Sequence, residues 1–247
     1  HDDLYPVKTE RSFIAYLLRI YEEIIEEMQL TETKYPSVHL CHVSSKDAFN
    51  LIQEGLKKGF KITFEVTPHH VLLANDIELE NPNVGKVLPP LRKKEHQSFL
   101  LEQLDEGRIP FIGTDHAPHA REEKEKSYDE APSGFPGFET YPLFILNRVC
   151  QYKLSLEKFV RMASENPADH FRLEKKGYIR EGYDADLIIV DKIPEYQIKS
   201  ESFHTKARYT PFENFPTVVQ IWKVFIGGQE VGEDVSNLKG KIIKRAA

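Results

Sequence analysis

The sequence predicts an α/β fold built on a parallel sheet, of the kind that closes into a barrel. Three observations carry that expectation. Short apolar runs alternate with amphipathic helical stretches as far as Phe171, the mark of parallel strands joined by right-handed crossovers. One of those runs, Ile109-Pro110-Phe111-Ile112, leads straight into Gly113-Thr114-Asp115-His116-Ala117-Pro118-His119, which sets a carboxylate and two imidazoles just past a strand end. An α/β barrel keeps its chemistry on the loops after its strands. Beyond Phe171 the pattern gives way to short strands and turns, so a boundary is expected near residue 172. Residues 1–171 then form the barrel portion and 172–247 a β-rich appendage.

The elements follow in order. Apolar residues at Phe13, Ile14, Leu17, Leu18, Tyr21, Ile24 and Ile25 have helical spacing, with Thr9 as the expected N-cap. Val38 to His42 reads as a buried strand, and Ser44-Ser45 caps the helix whose apolar face is Ala48, Phe49, Leu51, Ile52 and Leu56. Gly59 stops it. A second strand spans Lys61–Val66 and ends at Thr67-Pro68-His69-His70. A helix from about Lys94 to Glu106 presents Phe99, Leu100, Leu101 and Leu104 inward. The third strand, near residues 109–114, delivers Asp115. The loop from Arg121 to Pro136 is long and charged, and it is expected to lie over the site and to be mobile. Two helices follow, near 142–150 and 156–164.

Composition excludes several classes. The chain has 247 residues, 40% of them hydrophobic, enough for one large core. A net charge of −6 gives no basic excess for nucleic acid or an anionic membrane surface. No apolar run is long enough to span a bilayer. Cys41 and Cys150 both fall inside apolar runs and read as buried free thiols of a reducing compartment, the cytoplasm.

Three candidate metal ligands stand at strand ends: His1, His42 and Asp115. Each alone has an ordinary explanation: a frayed terminus, a satisfied core histidine, a helix cap. Together, two imidazoles and one carboxylate delivered by strands of one parallel sheet suit Zn²⁺. Asp115 is also placed to act as a base.

Five ordered pieces carry a resemblance: Cys41 to Lys46 (CHVSSK), Glu65 to His70 (EVTPHH), Pro89 to Arg92 (PPLR), Thr114 to His119 (TDHAPH) and Gly134 to Thr140 (GFPGFET). The chain resembles the dihydroorotases, in the cyclic-amide branch of the amidohydrolases. Gly182 to Ile188 is similar to the start of that family's C-terminal β region. The resemblance implies a (β/α)₈ barrel of the TIM type with a small C-terminal β-sandwich, of which this chain would hold the C-terminal half from the end of strand 5. It implies one or two Zn²⁺ ions and reversible hydrolysis of dihydroorotate to carbamoyl aspartate, in pyrimidine biosynthesis. By the same likeness His1 and His42 match metal ligands and Asp115 matches the ligand that shuttles the proton. His119 matches a substrate contact, and Ser133 and Gly134 match backbone positions beside the ring. His69 and His70 are expected to be structural or to lie behind the ligands. The implied partners are the small-molecule substrate, other copies of the chain, aspartate transcarbamoylase, or an N-terminal half supplied separately.

Two departures bear on function. The family's His-x-His pair, its carboxylated Lys or Asp and its substrate-binding Arg have no counterpart here. Leu88 stands where the family usually has an Asn that bonds the substrate. These keep two alternatives open: an allantoinase- or hydantoinase-type cyclic amidase, and a non-catalytic dihydroorotase-like scaffold.

Overall fold

Strand β2, Ile62–Val66, shows how the first part of the chain is built. Its residues alternate, with Ile62, Phe64 and Val66 buried and Thr63 and Glu65 half-buried on the other face. In the computed structural model, which describes residues 4–232 and Ile243, β2 lies between β1 (Val38–Leu40) and β3 (Phe111–Ile112). Both pairings are parallel, with Leu40 opposite Phe64 and Val66 opposite Ile112. The helical crossovers are α2 (Lys46–Lys57) after β1, and α3 (Pro68–Leu72) with α4 (Lys94–Asp105) after β2.

Local chemistry sets these boundaries. The Ser45 hydroxyl accepts from the Ala48 amide to start α2, and Gly59 turns the chain at φ 80° just after it. Thr67 caps α3, with Pro68 at the first helical position. Helix α1, Val7–Glu27, starts after Pro6 rather than at Thr9, whose amide bonds the Pro6 carbonyl. A proline carries no amide of its own to satisfy and presets the entry angle, so the helix begins earlier than the threonine marks.

The apolar face of β2 packs under α2, which in turn meets α4. Ile52, Phe64, Val66, Leu100 and Leu104 are all almost fully buried, and Phe64 meets the Phe49 ring edge-to-face at 5.6 Å between centroids. Helix α1 packs on α2, and the Tyr21 hydroxyl ties it down by donating to Pro36 O at 2.6 Å and accepting from the Lys61 amide.

The chain falls into two compact units. The first runs to Phe138 and takes in Lys199–Glu213; the second comprises Glu139–Ile198 and the residues from Asn214 onward. The expected boundary near residue 172 therefore lies inside the second unit. There, α5 (Tyr141–Cys150), α6 (Leu156–Val160), a π-helical turn and α7 (Asn166–Phe171) precede an antiparallel sheet. That sheet pairs β4 (Leu187–Gln197) with β5 (Pro216–Ile226), and β5 with β6 (Gln229–Glu230). Cys41 is exposed and Cys150 half-buried, so the two free thiols are not the buried pair expected. The reason for Cys41 is the strand alternation, which turns it to the face of β1 away from α2. Among the described residues no helix is long and apolar enough to cross a membrane.

Phe64→Ala should cost about 3–5 kcal/mol, because the cavity forms where helices and sheet are tightly packed. Urea denaturation measures it, and a loss under about 1 kcal/mol would show that this face is not the core.

Candidate active site

Backbone ladders continue past the strand ends and fix the two residues of greatest interest. The Val43 amide bonds Glu65 O at 2.8 Å, and the Gly113 amide bonds Val66 O at 2.9 Å. His42 and Asp115 sit directly beyond β1 and β3, and both have left-handed backbone, with φ 43° and 48°. Non-glycine residues avoid that region unless the surroundings impose it, and functional sites are where such strain collects. His42 and Asp115 are close enough to interact. Burial raises the Asp115 carboxyl above the ordinary range, the charge of His42 pulls it down, and Glu65 pushes it up. His1 lies outside the described residues.

A second group gathers beside them. One ligand atom each from His39, Cys41 and Glu65 lies within 4.8 Å of the others, a donor set of nitrogen, sulfur and oxygen able to hold a metal ion. Sequence reading passed over it, although His39, Cys41, Thr63 and Glu65 alternate onto one face of the paired strands. The His39 Nε2–H donates toward Glu65 Oε2 at 3.4 Å, and Nδ1 accepts from the Thr63 hydroxyl at 2.8 Å. Gly113 makes room for Glu65, since a Cβ at that position would stand 2.3 Å from the carboxylate. Burial, then the charges of Glu65 and Asp115, raise the Cys41 thiol, which keeps its proton at neutral pH.

These residues border a cavity of about 470 Å³ lined by His39, Cys41, His42, Leu88, Pro89 and Arg92, with the start of α1 along one side. Behind it, the Glu10 carboxylate accepts from the Ser44 amide at 2.8 Å and its hydroxyl at 2.9 Å. The Arg92 Nε donates to the same hydroxyl and Nη1 to Tyr5 O. His69 and His70 are buried, as expected of structural residues. His70 accepts from the Thr67 hydroxyl and donates to Pro89 O, and burial lowers it to about 3, so it stays neutral. Burial likewise holds His69 neutral; its Nε2 has no hydrogen-bond partner among the described residues.

The three residues matched to substrate binding come together. The His119 Nε2–H donates to Ser133 O at 3.0 Å, and the His119 amide donates to the Tyr209 hydroxyl at 3.1 Å. The Gly134 amide bonds Lys86 O at 2.8 Å, and the Ala117 amide bonds Phe135 O. His116 anchors the tail of this segment: its Nδ1 accepts from the Gly137 and Phe138 amides, and its ring stacks on Phe138 at 3.9 Å. The approach is close enough to demand glycine. A Cβ on Gly134, at φ 119°, would lie 2.6 Å from Ala117 O.

The loop expected to be mobile is instead tethered. Lys124 and Lys86 are buried inside it, and each ammonium donates to two carbonyls, Asn83 and Pro132 for the first, Tyr128 and Ala131 for the second. A charge run ordinarily forms a solvated face, so these buried contacts leave no local signal in the residues.

The model of the amidohydrolase family matches residues 9–231. The chain belongs to the amidohydrolase family. Over 219 residues it is 40% identical to a dihydroorotase of Bacillus cytotoxicus, a match covering 87% of this chain and 50% of that protein. The solved L-hydantoinase (dihydropyrimidinase) of Arthrobacter aurescens is similar over 92% of this chain and 49% of its own, at 29% identity and TM-score 0.82. The dihydropyrimidinase of Brevibacillus agri NCHU1002 covers 79% and 44%, at 28% identity and TM-score 0.73. This amidohydrolase chain spans about half the length of the curated relatives it matches. Its parallel sheet agrees with the α/β barrel of such neighbours.

Two expectations follow. Gly134→Ala should destabilise by about 1–3 kcal/mol, through the positive φ and the clash with Ala117; a urea midpoint unchanged from wild type would contradict the close approach. Burial, with Lys86 beside it, lowers Lys124 to about 8, against Glu123 acting in the other direction. Below that pH the ammonium is present folded and unfolded, and its burial cost is complete. Between about 8 and the unfolded value of about 10.4 the unfolded chain holds the extra proton, so this group makes stability rise with pH. Denaturation of wild type and Lys124→Met at pH 7 and pH 9.5 should show wild type gaining relative to the variant.

Proposed function

We propose that this chain forms part of a zinc-dependent cyclic amide hydrolase that opens dihydroorotate reversibly to N-carbamoyl-aspartate, in pyrimidine biosynthesis. The observation that carries it is the pair His42 and Asp115, both in left-handed backbone past parallel strands and close enough for their charges to interact. The identity to dihydroorotases supports the choice of substrate.

The donor chemistry fits a divalent metal. His42 and Asp115 would hold it, with His1 as a third ligand, and His39, Cys41 and Glu65 supply further donors nearby. A zinc ion there contributes Lewis acidity toward the scissile amide and a more acidic water. The remaining work falls to the chain itself. Asp115, its proton affinity raised by burial, takes a proton from the attacking water and returns it to the leaving nitrogen. His119, held through Nε2 by Ser133 O, offers its Nδ1 side to the substrate carboxylate, and the Ser133 amide and Gly134 carbonyl are the backbone groups offered to the ring. The buried His70 holds the Pro89-Pro90 turn by donating to Pro89 O, and Arg92 ties Ser44 to the start of the chain beside the same cavity. We include in the proposal one or two zinc ions per site, an assembly of several copies, and action in the cytoplasm.

A second reading rests on Leu88. It lines the cavity where the family usually has Asn, and an apolar wall suits a hydantoin-type ring without a carboxylate. Side-by-side assay of dihydroorotate and of 5-substituted hydantoins separates the two. A protein that hydrolyses neither and holds no zinc is the non-catalytic scaffold.

Asp115→Asn should preserve the fold, since the side chains are equal in size, and lower hydrolysis by about 10³-fold or more, since an amide cannot accept the proton. The assay uses the intact protein with zinc content measured in parallel. Activity within about tenfold of wild type would remove Asp115 from the chemistry.

A further inference from the structure

Two buried lysines, Lys124 within the Arg121–Pro136 loop and Lys86 reaching into it from outside, point beyond the site itself. Lys124 is 1% exposed and Lys86 8% exposed, and among the described residues neither forms an ion pair with a carboxylate. A buried cation with no carboxylate in ion-pair contact is costly, and an apolar side chain of similar volume would hold an ordinary turn at least as well. The acceptors show what the cations achieve. Lys86 Nζ donates to Tyr128 O at 2.5 Å and Ala131 O at 2.7 Å; Lys124 Nζ donates to Pro132 O at 2.7 Å and Asn83 O at 3.1 Å. Three of these four carbonyls lie within the five residues before Ser133. The clamp closes from both sides. Asn83 Nδ2 donates to Lys124 O and Lys126 O, Asn81 Nδ2 donates to Lys124 O, and Lys86 O receives the Gly134 amide. Ser133 O, fixed between these points, is where His119 Nε2 docks at 3.0 Å.

We propose that Lys86 and Lys124 are positioning residues for substrate binding: their ammonium–carbonyl clamps hold the Pro132–Gly134 backbone in place and, through Ser133, orient His119. Neither touches the reacting atoms. They set substrate affinity by removing the ordering that binding would otherwise have to impose on the loop, and they leave bond cleavage at Asp115 unaltered. This rests on the cyclic amidase reading of the site, which the test separates from the clamp.

The experiment compares wild type, Lys124→Met and Asn83→Ala in the intact protein by two readouts. Amide hydrogen exchange follows the Gly134 amide and the rest of residues 121–136, and steady-state kinetics follow dihydroorotate. In Lys124→Met, exchange at Gly134 should quicken about tenfold or more while amides of β2 keep their protection. KM should rise about tenfold with kcat within about threefold of wild type. Asn83→Ala, which removes only the bonds to Lys124 O and Lys126 O, should shift both readouts the same way to a smaller extent, and it carries the test if Lys124→Met does not fold. Unchanged exchange at Gly134 overturns the clamp. Quickened exchange with KM unchanged, or with kcat alone reduced, overturns the positioning role. A wild-type protein inactive on dihydroorotate defeats the functional reading, and the exchange readout then still decides the clamp.

Discussion

Two backbone hydrogen bonds hold the account together: Val43 to Glu65 O and Gly113 to Val66 O. Each extends a parallel ladder beyond the last regular strand residue. His42 precedes the first of these anchored amides and Asp115 follows the second, and both residues take left-handed backbone there. The buried face of β2, packed under α2, supplies the rigidity that such strained positions need.

The second requirement is room. Gly113 admits the Glu65 carboxylate beside β3, and Gly134 and Gly137 let the Ser133–Phe138 segment run against Thr114 and Ala117. Side chains then fill the space that glycines leave. His116 receives two amides at once, and His119 reaches Ser133. The result is a site in which backbone packing, and not a long list of side-chain bonds, determines where the titratable groups stand. The electrostatics follow from that packing. Burial and Glu65 raise the proton affinity of Asp115 while His42 opposes them, a balance that suits the proton transfer proposed for it.

Much of this was legible in the residues. The alternation in Ile62–Val66, the caps at Ser45 and Thr67 and the glycine stop after α2 are local signals, and each element stands close to where they put it. The strand-end residues were legible because Asp115 and His42 follow apolar runs directly. What escaped depends on contacts between residues distant in sequence. Nothing near Lys124 announces that Asn83 and Pro132 will solvate its ammonium. The return of Lys199–Glu213 to the first unit, with Tyr209 meeting His119, has no local pattern, so the division of the chain could not be drawn at the right place. The His39–Cys41–Glu65 group was hidden for a related reason: its members come from neighbouring strands and meet only through the register of His39 with Thr63.

The central claim is that His42 and Asp115, and not the neighbouring donor group, form the hydrolytic metal centre. An anomalous difference map recorded at the zinc absorption edge, from crystals of the intact protein grown with zinc, tests it most directly. The account predicts a peak within bonding distance of the His42 imidazole and the Asp115 carboxylate, at about 2.0–2.2 Å. A peak held by His39, Cys41 and Glu65, with no density at His42 and Asp115, would contradict it.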